Sequence, residues 1–387
     1  MRVTLLLLAL ISSFSSKASF SDSLYSKQWY LNNTGQVILI KDGELTREHK
    51  TGTTGLDIKH NQVNFEGLAK TNKEIIVAVV DSGVDINHPD LEGRIWFNKE
   101  KCTGLTLLEQ KKQACHGWNF IHQNADVSDK LGHGTHVSGI IAANRNNIGI
   151  VGITHSSVKI MPIKVISKDL TNFIYDNKVV TDIFADGIRF AIENKANVIN
   201  LSLGWPKLIE TPKIKIAIEK AIESGIAVVA AAGNNGKDIP TFPCTYKGVI
   251  CVGSHDNLGN LSTFSNFGGK IDILAPGEFI VSTLPTEVES RSLRIQGYEN
   301  KQGTSQAAPI ISAVMANIFV QNPELSLDAA KSKLYSSAIQ ENINASLFGR
   351  VDMAKALQVS QKETQALAAP IFKEVLDVKV LEEQGFD

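Results

Sequence analysis

Five unbroken runs of apolar, largely β-branched residues recur along the chain, and they restrict the architectures open to it more than any other feature. Glu74 to Val80 (EIIVAVV) is the clearest; Lys159 to Val165, Val198 to Leu203, Ile226 to Ala232 and Gly248 to Gly253 repeat the pattern. A strand with one wet face alternates apolar and polar side chains, whereas an unbroken run belongs to a strand covered on both faces, as in a parallel sheet. Amphipathic helical patterns lie between several of them, notably Val180 to Lys195 and Lys213 to Ser224, each ending near a Gly or Asn stop. This alternation predicts an α/β fold, a doubly wound, mainly parallel sheet with helices on both faces in three layers. Two further helices are predicted, Ser305 to Gln321, ended by Asn322-Pro323, and Leu327 to Ser337, capped by Ser326.

A length of 387 residues fits one large domain or two smaller ones. Apolar residues at 43% and charged residues at 20% supply a core, so disorder is not the default. The net charge of −1, with Lys and Arg dispersed, gives no field that would draw nucleic acid or an anionic membrane, and neither is expected as a partner. Met1-Arg2, the apolar run Val3 to Ile11 and the small residues around Ser16-Lys17-Ala18 have the layout of a signal peptide over 1–18. The run is well short of the roughly 20 residues that span a bilayer. A secreted protein is expected, extracellular or, in a bacterium, periplasmic. The single large unit is expected over 19–357, followed by a charged, helix-prone tail at 358–387.

An oxidising compartment lets disulfides persist, and the four cysteines fall in two close pairs. Local pairing, Cys102 with Cys115 and Cys244 with Cys251, is expected, although four cysteines permit three connectivities. Neither pair has the short spacing of a four-thiolate zinc site.

Four segments carry chemistry. Asp81 follows the run Ile75 to Val80 directly, at the carboxyl end of a central strand, where open α/β sheets place active sites. The stretch Leu131 to Gly139 (LGHGTHVSG) puts His133 among glycines that permit close approach and then enters an apolar helix, Val137 to Ala143. His133 and His136 at i, i+3 could face a metal, but there is no H-E-x-x-H arrangement, and His136 reads as a packed structural histidine. Ser305, in Gln302 to Pro309 (QGTSQAAP), opens a helix whose unpaired N–H groups and dipole favour a developing anion; Pro309 is placed in the first turn. Asn234, in Val228 to Gly236 (VVAAAGNNG), has side-chain donors suited to an oxyanion. Taken singly these features are ordinary: a loop Asp, a helix-capping Ser, an Asn-Gly turn.

Together they resemble the subtilisin-like serine peptidases, or subtilases. The blocks are Asp81-Ser82-Gly83 with His88-Pro89-Asp90, HGTHVSG at 133–139, AAAGN at 230–234 and GTSQAAP at 303–309, in the family's order. The likeness runs from about residue 26 to 357 and implies a serine endopeptidase acting on polypeptides through an acyl-enzyme, with no organic cofactor; a monomer is expected. It implies Ser305 as nucleophile, His133 as general base, Asp81 as the acid that orients the imidazole, and Asn234 with the Ser305 N–H as the oxyanion hole. Ser202-Leu203-Gly204 and Ala231-Ala232-Gly233 correspond to the walls of the pocket for the residue before the cut, with Thr241 near its floor. Small uncharged walls suit an apolar or medium side chain. The opening Ser26 to Gln36 is similar to that of proprotein convertases, which cut after basic pairs, but the acidic pocket residues expected of those enzymes are not evident, so broad specificity is expected. Asn146 to Gly152 resembles the family's calcium loop, which implies Ca²⁺ held by Asp90, Asn146, Ile148, Ile150 and Gln28.

The chain departs from the family in two ways. Gln306 stands where many relatives are apolar, and only about 60 residues separate the signal cleavage from Asp81, which leaves no room for an N-terminal inhibitory propeptide. A non-catalytic binding module on the same fold is the alternative from a different class. An esterase or peptide-ligase activity would share the acyl-enzyme step.

Overall fold

The computed structural model describes residues 21–358, apart from 44–45, 70–71, 111, 168–176, 206–210, 240, 294 and 341–345. The segments read as signal peptide (1–18) and tail (358–387) lie outside the described residues, Gln358 excepted.

A hairpin comes first, β1 (Val37–Gly43) against β2 (Thr46–Thr51). The main sheet takes β3 (Ile75–Asp81), β4 (Trp118–Asn119), β5 (Val158–Lys164), β6 (Val198–Leu201), β7 (Ala227–Ala231), β8 (Ile250–His255) and β9 (Ile273–Pro276). Their order is β4-β5-β3-β6-β7-β8-β9, every adjacent pair parallel. A second hairpin, β10 (Ile280–Thr283) with β11 (Tyr298–Lys301), follows. The helices are α1 (Lys99–Cys102), α2 (Leu107–Gln110), α3 (His133–Ala142), α4 (Asn177–Glu193), α5 (Pro212–Glu223), α6 (Thr304–Gln321), α7 (Leu327–Ser336) and α8 (Met353–Gln358).

The apolar runs behave as strands buried on both faces. In β3, Ile75, Val77 and Val79 pack with Val137, Ile140, Ala307 and Ile311 of α3 and α6, while Ala78 and Val80 pack with Ile183, Ile188 and Ile218 of α4 and α5. Side chains alternate across a strand, so an unbroken run feeds two cores at once. Helix α6 is apolar around its whole circumference and buried from Gln306 to Val320, which makes it the central pillar of one layer. From β3 the chain moves outward to β4 at the edge, comes back to β5 beside β3, and then passes β3 to β6, so the sheet reverses its winding at β3. In open parallel sheets the crevice at such a reversal, beyond the carboxyl ends of the strands, is where sites form.

Both expected cysteine pairings are present, Cys102–Cys115 and Cys244–Cys251. The latter ties the segment after Thr241 to β8.

Candidate active site

Asp81 is the last residue of β3 and is fully buried, and Ser82 N–H donates to its Oδ1 at 2.7 Å. The apolar pattern starts the helix only at Val137, but His133 is the first residue of α3, entered through Gly132 at φ +72°. Its Nδ1 faces both Asp81 oxygens, at 2.8 Å and 2.9 Å. A Cβ on Gly134 would lie 2.1 Å from the Gly83 carbonyl and 3.1 Å from Asp81 Cβ, so the start of α3 reaches β3 only because residue 134 has no side chain. Burial disfavours the charged ring, but the Asp81 carboxylate overrides it by charge and hydrogen bond, and the His133 pKa is held above its usual value. With Nδ1–H directed at Asp81, a neutral ring leaves Nε2 as a proton acceptor.

A second carboxylate, unnoticed in the sequence, holds this pair in register. Asp129 is buried and accepts at Oδ1 from Ser82 Oγ, Leu131 N–H and Gly132 N–H, and at Oδ2 from Thr135 N–H and Oγ1. It thereby takes the Thr135 N–H in the first turn of α3, while Ser82 Oγ, which it orients, accepts from the Gly134 N–H, and so it ties the start of that helix to the end of β3. Its only trace in the sequence is an acidic residue four positions before His133.

Ser305 occupies the second position of α6, in the first turn, where the backbone N–H has no intrahelical partner. Its Oγ donates to the Ser202 carbonyl at 2.9 Å. Pro309, placed in the first turn by its sequence, stands in the second. Asn234 is exposed beyond β7, and its Oδ1 accepts from Thr304 N–H and Thr304 Oγ1, each at 2.9 Å. Those two donors fix the amide's orientation and leave Nδ2 to donate elsewhere. Buried Asn266 shapes the loop that carries Asn234, donating to the Ala232 and Ile239 carbonyls and accepting from Asn235 and Lys237 N–H.

Ser202, Leu203 and Gly204 continue past the end of β6, and Ala231, Ala232 and Gly233 run off the adjacent β7. Thr241 closes the space between them. Its N–H donates to the Ala232 carbonyl at 2.9 Å, and a Cβ on Gly204 or Gly233 would lie 2.3 Å from its Oγ1 or 2.9 Å from its Cγ2.

At the loop that resembles a calcium site, Asp90 is fully buried and its Oδ1 has no hydrogen-bond partner among the described residues, while Oδ2 accepts from Ile150 N–H and Tyr298 Oη. Burial pushes its pKa up to about 6 against those hydrogen bonds. An orphaned buried carboxylate oxygen with the Asn146 amide beside it offers the oxygen donors that a hard cation prefers. Asp22, absent from the sequence-based set, accepts from Asn146 and Asn147 N–H and adds a second carboxylate nearby. Gln28 fits less well: its amide accepts from Val151 N–H and donates to the Val151 carbonyl and Tyr30 Oη.

A family model described as the Subtilase family matches residues 72–366. Over 295 residues the chain is 34% identical to the Major intracellular serine protease of Bacillus subtilis (strain 168), covering 74% of this chain and 79% of that one. It is 32% identical over 283 residues to Thermitase of Thermoactinomyces vulgaris, covering 73% and 88%. Among solved structures, fervidolysin from Fervidobacterium pennivorans, a keratinolytic enzyme related to subtilisin, matches with a TM-score of 0.64 at 27% identity. That match covers 84% of this chain and 51% of fervidolysin. Fold and relatives together define a subtilisin-like serine endopeptidase. The chain belongs to the subtilase family.

Proposed function

We propose that the protein is a secreted endopeptidase that hydrolyses peptide bonds through an acyl-enzyme on Ser305, with Asp81, His133 and Asn234 as its partners. The observation that carries this reading is the two-oxygen grip of Asp81 on His133 Nδ1. Ser305 Oγ leaves the Ser202 carbonyl and gives its proton to His133 Nε2 as it attacks the scissile carbonyl. The imidazolium is stabilised by Asp81, and the oxyanion is bound by Asn234 Nδ2 and the Ser305 N–H at the positive end of α6. His133 then passes the proton to the leaving amine, the carbon–nitrogen bond breaks, and water repeats the cycle to release the acid and restore Ser305.

Specificity is proposed to be broad, with an apolar or medium side chain before the cut, supported by Thr241 standing between Gly204 and Gly233. Secretion is supported by the layout of residues 1–18, and no helix among the described residues is long and apolar enough to cross a membrane. Calcium would be held by Asp90 and Asn146 with the backbone oxygens of Ile148 and Ile150, and there it would supply positive charge to brace the loop.

Turnover of a chromogenic peptide tests the catalytic reading. Ser305→Ala and His133→Ala should each lose roughly 10⁶ in kcat. Turnover within tenfold of wild type in either variant would refute the assignment.

A further inference from the structure

Asn200 is a polar residue in the middle of the apolar strand β6, and it is fully buried. An amide in such a place is tolerated only when its polar atoms are paired. Here Oδ1 accepts from Ser312 Oγ at 2.8 Å, and Nδ2 donates to Ser202 Oγ at 2.9 Å. Ser202 Oγ passes its own proton on to the carbonyl of Ser305 at 2.8 Å. That carbonyl is open for a covalent reason: its helical partner would be the N–H of residue 309, four positions on, and residue 309 is proline. In return, Ser305 Oγ donates to the Ser202 carbonyl. Each donor in the chain from Ser312 through Asn200 and Ser202 to Ser305 has one acceptor, so the pattern admits a single direction.

We infer that Asn200, Ser312 and Pro309 are positioning residues, which dock the Ser202 hydroxyl on the Ser305 carbonyl and so fix where the Ser305 side chain starts its move toward His133. This rests on the reading of Ser305 as the nucleophile. Pro309 removes the competing helical hydrogen bond, Asn200 orients the Ser202 hydroxyl, and Ser312, two turns along α6 from Ser305, locks the amide of Asn200. Two elements, β6 and α6, are thereby tied together at the one residue whose hydroxyl must be aimed.

The test measures kcat and KM per active site titrated with a fluorophosphonate, the rate of labelling at Ser305, and the Tm. Asn200→Ala and Ser312→Ala should lower kcat and labelling rate by about 10- to 100-fold per titrated site, with KM within about twofold. Pro309→Ala separates positioning from packing: it restores a helical N–H, so the Tm should hold or rise while kcat per site falls about tenfold. Ser202→Ala should fall likewise, and Ser202→Thr, which keeps the hydroxyl, should recover most of the loss. If Asn200→Ala does not fold, the Pro309 and Ser202 variants decide. Undiminished kcat per site in folded Asn200→Ala, or in Pro309→Ala and Ser202→Ala, overturns the inference while leaving Ser305 as nucleophile. A wild-type protein that does not label at Ser305 sinks the nucleophile reading, and this inference with it.

Discussion

The Nδ1 of His133 lies 2.8 Å and 2.9 Å from the two carboxylate oxygens of Asp81, the first residue of α3 against the last of β3. That contact sets both the tautomer and the basicity of the ring. Asp81→Asn keeps the shape but presents a donor or a weaker acceptor to Nδ1, and kcat should fall by about 10⁴ with the protein still folded. Steady-state kinetics with circular dichroism would check this; a loss below tenfold would contradict it.

The same ring predicts a pH profile. His133 must be neutral to accept the Ser305 proton, so activity declines as pH falls through its pKa, which the structure holds above the usual value. Lys301, at the end of β11, pushes that pKa down, and Asp129 pushes it up. Lys301→Met should therefore move the acid limb of kcat/KM to higher pH, and Asp129→Asn should move it to lower pH. A limb that shifts in the opposite sense in either variant would show that these charges do not act on the ring.

Thr304 holds Asn234 through the amide's carbonyl oxygen. Asn234→Ala removes one oxyanion donor and should cost roughly 10² to 10³ in kcat with little change in KM. Asn234→Asp should be at least as damaging, since it places negative charge where negative charge develops.

How much of this could be read from residues alone depended on whether a feature was local. The runs around Val77, Ile160, Ile199 and Val229 carried their own signature because burial on both faces leaves no polar alternation, and Asp81, His133, Asn234 and Ser305 sat in blocks with fixed neighbours. The strands Trp118–Asn119, Ile273–Pro276, Ile280–Thr283 and Tyr298–Lys301 are too short, at two or four residues, to separate from loop by pattern, and the longer first hairpin, Val37–Gly43 with Thr46–Thr51, has a polar second strand that carries no apolar signature. Asp129, Asn266 and Asp22 were missed for another reason. Each works by collecting backbone N–H groups from a loop that folds around it, and a single acidic or amide residue does not reveal which loop will do so. The sequence puts Pro309 in the first turn of α6, where its missing N–H would leave no carbonyl open; in the second turn it leaves the Ser305 carbonyl without a helical partner.

Thr241 predicts specificity. Thr241→Gly vacates the space between Gly204 and Gly233 and should raise the preference for a large aromatic over a small residue before the cut by about tenfold in kcat/KM. A peptide library compared between the two proteins would measure it; an unchanged ranking would remove Thr241 from the pocket.

Several histidines make the fold acid-sensitive. Burial holds His60 and His136 well below, and His88 and His155 below, the usual value, while His133 is held above it. The unfolded chain takes up protons at the lowered group below about pH 6.5, where the folded chain does not, so stability is present above that pH and lost as pH falls. His133, held above its usual value, and Asp90, whose carboxyl burial pushes up to about 6, work in the other sense and offset part of this. The urea midpoint of Ser305→Ala protein, which avoids autolysis, should drop between pH 7.5 and 5.5. A constant or rising midpoint would contradict this.

The orphaned oxygen of Asp90 predicts stabilisation by calcium. Adding Ca²⁺ after EDTA treatment should raise the Tm of the wild type by several degrees, and Asp90→Asn should abolish most of that difference. Equal calcium responses in the two proteins would place any bound ion elsewhere.

The most direct test of the account is the site and rate of fluorophosphonate modification, followed by mass spectrometry of the intact, folded protein and its peptides. A single adduct on Ser305, formed rapidly in the wild type and slower by orders of magnitude in folded His133→Ala, is the predicted result. An adduct on another residue, or modification of Ser305 at the same rate without the imidazole, would contradict it.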